Sequence, residues 1–336
     1  MLQTMHTDGW SKPYFQAAAL KSVWAFTLPI WMLLTKINQS FQDEITFRRP
    51  LRPTMRVLLL SGMLTVLVQA SSATWIASLD LTAVSINSAI YNINPLLVYA
   101  FSIPLLSEPP SVVKSTAVLL GMVGTSVVTF GTAGGSSALD ADGASGAHKE
   151  GAIFGNALVV LSASFFALKE VLFKKHFPSI TISLTPFTDA LLVVGLIGAI
   201  SALTLVPLTL TYDALGVESF EMPSAELIRN YSLIAVMMAS YQACLLAAIA
   251  LTSPTYVAMG TMLAVPASIA VDFALKGYVV PFVALWGIFA ILAAFALLIF
   301  ADRADEALGR VRSATLRSCE PAADGARAPA AAKALI

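Results

Sequence analysis

In the stretch VPASIAVDFALKGYVV, from Val265 to Val280, Asp272 and Lys276 stand four residues apart in an otherwise apolar segment. At that spacing two side chains share one helix face. A charge in hydrocarbon costs about 2.5–3.5 kcal/mol on insertion scales, so each one needs a reason to be there. An acid and a base one turn apart are expected to serve as a gate, as a proton-coupling carboxylate or as an anchor near the interface. Glu170 and Lys174 repeat the spacing near the end of another apolar run. They are expected to gate the opposite side or to stabilise the helix as an i, i+4 pair.

The polar groups nearer the middle of the runs carry no charge. Gln69, Asn92, Asn94 and Gln242 fall there, accompanied by Tyr91 and Tyr241. An amide in hydrocarbon must bond to another side chain, to freed backbone or to a ligand. These six are the expected substrate contacts. Pro95 follows Asn94 and leaves a carbonyl one turn back without its helical donor. Pro95 and Pro266 are therefore the expected hinges. No lysine or arginine is read at mid-membrane, since Lys12 and Lys21 are read as flanking the start of the first run. That disfavours phosphate-bearing substrates, which Arg and Lys bind by charge-assisted hydrogen bonds.

Such residues need helices to hold them. The chain is 57% hydrophobic and 12% charged, with mean hydropathy +0.78. A soluble domain is nearer 45–50% apolar and about 25% charged, so the composition is that of an all-α polytopic membrane protein. Nine runs reach the length of about 20 apolar residues that a bilayer requires: 14–35, 57–79, 82–106, 112–131, 152–174, 184–208, 230–251, 254–277 and 280–300. Zero net charge gives no sign of a nucleic-acid partner. Two cysteines are too few for a disulfide framework or a structural zinc site. The three histidines lie outside the apolar runs. No metal, cofactor or catalytic residue is expected, and enzymatic activity is not. The partners expected are the lipid bilayer and a small-molecule substrate, and a homodimer is allowed.

Lys36, Arg48, Arg49, Arg52, Arg56, Lys174, Lys175 and the arginines beyond 302 all fall on one side if the runs alternate. That side should be the cytosol, with the C-terminus in it. Pro95 and Pro266 are 171 residues apart, as are Pro110 and Pro281. The patch QASSAT at 69–74 precedes the first pair of prolines as SYQAC at 240–244 precedes the second. Four spans then five put equivalent spans in opposite senses, the inverted-topology arrangement of many secondary transporters. The expected division is a tail 1–13, a four-helix repeat 14–131, a flexible non-cytosolic loop 132–151, a five-helix repeat 152–300 and a disordered cytosolic tail 301–336.

Several segments resemble a known family. GNALVVLSASFFALKEVLFKKHFP at 155–178 and TSPTYVAMGTMLAVPASIAVDFALKG at 252–277 resemble the sixth and ninth helices of the drug/metabolite transporter superfamily (EamA-like). SKPYF at 11–15 and TAVSINSAIYNINPLLVYAFSIPLLSEPPSVVKSTAVLLGMVGTSVV at 82–128 resemble the F subfamily of solute carrier family 35. The resemblance covers roughly 11–300 and implies alternating-access transport of a small metabolite across an endomembrane, in the vacuole, lysosome or Golgi. It also implies ten helices. Either the sequence is truncated upstream or this is a nine-helix variant. A repeat short of one helix would leave a lipid-exposed gap, which favours truncation. The sequence favours a neutral or cationic substrate. Exchange of nucleotide sugars or sugar phosphates is the alternative, and a non-transporting membrane scaffold or receptor is the second. Gly121 and Gly124 are expected to let helices approach closely.

Overall fold

The computed structural model describes residues 12–41, 53–79, 81–82, 84–132, 146–177, 185–219, 225–276 and 281–318. Among these residues the ordered elements are all helical, and nine segments are long and apolar enough to cross a bilayer. Their bounds follow the expected runs closely, from Pro13–Ile37 to Phe282–Ala301. The all-α polytopic architecture therefore stands.

Three spans are broken. The first consists of α1 (Pro13–Ser22), a 3₁₀ turn at Val23–Phe26 and α2 (Thr27–Phe41). The second is the single helix α3 (Met55–Leu79). The third is α4 (Val84–Tyr91) and α5 (Asn94–Leu106), interrupted at Asn92 and Ile93. Helices α6 (Val112–Thr132), α7 (Gly146–His176), α8 (Thr185–Ala214) and α9 (Ala225–Leu251) follow. The eighth span is α10 (Pro254–Met262) and α11 (Ala264–Lys276), interrupted at Leu263. The last is α12 (Phe282–Ser318).

Both interruptions lie just before a proline. Pro95 removes the donor that the Tyr91 carbonyl would use, and Pro266 does the same to Met262. The chain answers locally with tighter bonds: Ile93 N–H donates to the Ile90 carbonyl at 3.0 Å, and Leu263 N–H to Gly260 at 3.1 Å. These are the positions where the sequence placed its hinges.

Two boundaries differ from expectation. Helix α7 starts at Gly146, inside the expected loop, and α12 continues past 300 to Ser318. Ala, Lys and Glu in the first extension and Ala, Leu and Arg in the second are strong helix formers, so polarity alone does not stop either helix. The remainder of the expected loop, 133–145, and the expected tails 1–11 and 319–336 lie outside the described residues.

The described helices pack around three apolar clusters, two of them large. One gathers Trp24, Leu64, Phe173, Leu192, Ile197 and Leu246 from the first span, α3, α7, α8 and α9. The other gathers Tyr99, Val118, Met259, Ile291 and Leu298 from α5, α6, α10 and α12. Gly124 behaves as the sequence suggested. A Cβ there would meet the Gly287 carbonyl oxygen of α12 at 2.8 Å, and a Cβ on Gly287 would meet the Gly124 oxygen at 2.7 Å. Gly121 faces Met259 and Met262 of α10. The outward faces are apolar, with Leu203, Leu210, Phe273 and Phe289 exposed, as lipid contact requires.

The turn after α8 closes over the start of α1. The Glu218 carboxylate accepts from Tyr14 N–H at 2.9 Å and from Phe15 N–H at 3.4 Å. Lys12 Nζ donates to Ser219 Oγ at 2.6 Å. Helix α1 has no side-chain cap of its own, so a carboxylate distant in sequence takes that place beside the positive helix end. Glu218→Ala should cost about 0.5–2 kcal/mol, the range of a lost cap, in thermal unfolding in detergent. Burial holds the Glu218 carboxyl above its ordinary range, against the opposing pull of the Tyr14 and Phe15 amides and of Lys12. Folded Glu218 thus keeps its proton to higher pH than unfolded Glu218. Its stabilising share is full below the unfolded value and is lost as pH rises through the folded one. Glu218→Gln should therefore melt no lower than the parent above that range. A large loss with Gln would show that the negative charge itself is required.

Candidate functional site

Lys21 sits about 12 Å along α1 at 1.5 Å per residue, and it is only 7% exposed. Its Nζ donates to Ser72 Oγ at 2.5 Å, to Gln69 Oε1 at 2.9 Å and to the Val68 carbonyl at 3.4 Å. All three ammonium hydrogens are used. Gln69 Nε2 in turn donates to Ser201 Oγ of α8 at 3.4 Å. One lysine thus ties the first span to α3 and, through Gln69, to α8. Two residues beyond Lys21 the helix tightens into its 3₁₀ turn, a local form that marks many functional hinges.

Lys169 and Glu170 of α7 are 0% and 1% exposed. Lys169 Nζ lies 3.9 Å from the centroid of the Phe166 ring and has no hydrogen-bond partner. Glu170 Oε2 has none either. Adjacent residues on a helix point in different directions, so the two cannot pair head to head, yet each lies in the other's field. Lys169 is also within electrostatic range of Lys21. Glu170 acts on Tyr91 and Tyr241.

Around these charges stand aromatic rings and hydroxyls. Tyr91 packs edge-on to Trp75 at 5.0 Å and tilted to Phe166 at 6.2 Å. Ser71 Oγ donates to the Ser162 carbonyl at 3.0 Å, and Ser162 Oγ donates back to Ser71 at 2.7 Å. That reciprocal pair clamps α3 to α7 in the wall of the site. Helical spacing puts Ser162, Phe166, Lys169 and Phe173 on one face.

Of the expected substrate contacts, Gln69 bonds Lys21, and Tyr91 and Tyr241 lie within electrostatic range of Glu170. Asn92 lies in the α4–α5 interruption. Asn94 opens α5, 7% exposed, with its Oδ1 unpartnered. Gln242 is buried and Tyr241 is 56% exposed. Pro95 and Pro266 sit at the two interruptions. Asp272 and Lys276 lie in the last turns of α11, and their side chains lie outside the described residues.

The structure corrects two expectations. Glu170 and Lys174 share a face by spacing but do not pair. Lys174 Nζ donates to the Ala250 carbonyl at 2.7 Å instead, the negative end of α9. Glu170 turns into the bundle. Second, buried cations do exist within the spans. Lys21, expected to flank the start of its span, and Lys169 are both buried. A linear hydropathy scan cannot tell a flanking lysine from one turned inward. The Ser162–Phe166–Lys169–Phe173 stripe was the signal available for Lys169. The preference for a neutral or cationic substrate rested on a lack of cations and no longer has that support.

No protein-family model matches the chain, and no curated protein matches it. Among solved structures, 24 chains match. One, described only as "Crystal structure of protein", is 15% identical with a TM-score of 0.51, over 90% of this chain and 93% of that one. At that identity the likeness is one of fold alone.

Proposed function

We propose that the chain is a secondary transporter that moves a small organic metabolite across an endomembrane by alternating access, with its C-terminus in the cytosol. The observation that carries this reading is the buried Lys21–Gln69–Lys169–Glu170 cluster. Burying three ionisable groups in a bundle surrounded by lipid is expensive. A scaffold or receptor would gain nothing from leaving Lys169 Nζ and Glu170 Oε2 without partners.

The packing supports two inverted repeats. The interruptions at Asn92–Ile93 and at Leu263 lie at equivalent distances before Pro95 and Pro266. Two pairs of helices that the 171-residue offset relates pack on one another, α1 on α8 and α6 on α12, and the broken third and eighth spans meet through α5 and α10. An in-plane pseudo-two-fold axis makes that contact between counterparts natural. Broken helices near the midplane are the usual place for substrate and coupling-ion sites in such folds. Lys174, held to the end of α9 and within range of Glu108, gathers three span ends on the side assigned to the cytosol and would close it. Resemblance to the F subfamily of solute carrier family 35 is consistent with this reading.

Uptake into proteoliposomes tests it, with a panel of vitamins, amines, nucleosides, nucleotide sugars and sugar phosphates, with and without a proton gradient. Saturable uptake of one class is expected. Folded, membrane-inserted protein that takes up none of them would contradict it.

A further inference from the structure

The three buried charges differ in one respect. The Lys21 ammonium spends its hydrogens on Val68, Gln69 and Ser72. Glu170 and Lys169 compensate each other only in part, since neither Glu170 Oε2 nor Lys169 Nζ has a hydrogen-bond partner. Lys169 keeps three unused donors beside the Phe166 ring, while completely withdrawn from the surface. With all three groups ionised, the cluster carries one uncompensated positive charge. A buried ammonium without acceptors is costly, and the molecule leaves it so on α7, which packs against α3 and α5 of the other half.

We propose that the transported substrate is an organic anion with one negative charge, a single carboxylate or a phosphodiester. Its oxyanion is received by Lys169 Nζ, with Lys21 supplying the second positive charge. This rests on the transport reading given above. An ammonium that finds an anion gains a charge-assisted bond, and the anion brings the cluster to neutrality. The Tyr91, Trp75 and Phe166 rings beside it suit an apolar or planar body attached to that anionic head. Glu170 then sets the preference for one charge: a dianion would meet its carboxylate, and a cation would meet two ammonium groups.

The test is ligand-dependent thermal stabilisation of the purified protein in detergent. The probes are benzoate, diphenyl phosphate, succinate, benzyl alcohol and benzylamine. Benzoate or diphenyl phosphate, each a monoanion, should raise the melting temperature in a saturable way. Which of the two does so separates a carboxylate site from a phosphoryl one. Benzyl alcohol and benzylamine should do nothing, and succinate should do less than benzoate. Lys169→Met should weaken the effective anion about ten- to a hundred-fold, the worth of one charge-assisted bond. Lys169→Arg should retain most of the affinity. If Lys169→Met does not fold, the Lys169→Arg variant and the alcohol and amine probes still decide. Stabilisation by benzyl alcohol or benzylamine alone, or by anions equally well in folded Lys169→Met, would overturn the proposal. The uptake panel separates this failure from that of the transport reading. Saturable uptake of a neutral or cationic class would leave transport standing and remove the anion. Anion binding with no uptake at all would do the reverse.

Discussion

Glu170→Gln alone is expected to damage the protein more than the double replacement Lys169→Met with Glu170→Gln. The single change leaves two buried ammonium groups, Lys21 and Lys169, in each other's field with no carboxylate between them. Removing one member of a buried charge cluster costs about 3–5 kcal/mol, because an uncompensated charge stays behind. The double change leaves Lys21, whose donors are all satisfied by α3, and restores the parent's formal charge in the cluster. Thermal unfolding in detergent should therefore show a large drop for the single variant and recovery of most of it in the double. Transport should be lost in the double variant, which lacks Lys169, the group with free donors. Equal melting of the two variants would mean that the three charges do not act as a unit. Full uptake by the double variant would remove the cluster from the transport site.

The second large effect is steric. A Cβ on Gly198 of α8 would lie 2.2 Å from the Ala25 amide nitrogen and 2.5 Å from the Trp24 carbonyl carbon. Both are backbone atoms of the 3₁₀ turn in the first span, so no side-chain rotation relieves the clash. The only response is to separate α8 from the span that carries Lys21. Gly198→Leu should destabilise by at least about 3 kcal/mol, at the upper end for overpacking, and should leave little folded protein in the membrane. Gly260→Ala is the control, since its Cβ would meet only Phe295 Cε2, at 4.0 Å. Expression with fluorescence-detected size exclusion should show a monodisperse Gly260→Ala and an aggregated or absent Gly198→Leu. A well-behaved Gly198→Leu would mean that the first span does not cross α8 so closely.

These two predictions draw on features that differ in how visible they were beforehand. The spans were legible because lipid imposes one requirement, apolar length, that composition meets directly. The interruptions at Asn92 and Leu263 were legible because proline removes a donor wherever it sits, whatever it packs against. The direction in which Lys21, Lys169 and Glu170 point was not. A lysine eight residues into an apolar run reads as an interfacial anchor until the facing helix is known. For Lys21 the answer depends on Gln69 and Ser72, nearly fifty residues away. Glu170 and Lys174 show the same limit: i, i+4 spacing states which groups share a face, and the end of α9 decides which contact wins. The close approach at Gly198 depends on a 3₁₀ turn in a distant segment, which local propensity does not announce. Gly124 was recognised through its Gly121 companion, but its counterpart Gly287 has no such local pattern.

The account holds that the Lys21–Lys169–Glu170 cluster is a site reached in turn from the two sides of the membrane. Labelling of a single cysteine there is the most direct test. Ser72 touches Lys21, and Ser72→Cys changes one atom. It would be placed in a background with Cys244→Ala and Cys319→Ala, reconstituted in sealed vesicles and exposed to a membrane-impermeant maleimide from one face and then from the other. The account predicts labelling from both faces, slowed by whichever substrate the uptake panel identifies. Labelling from neither face, while a cysteine in an exposed turn reacts readily, would contradict it and would mark the buried charges as parts of a closed scaffold.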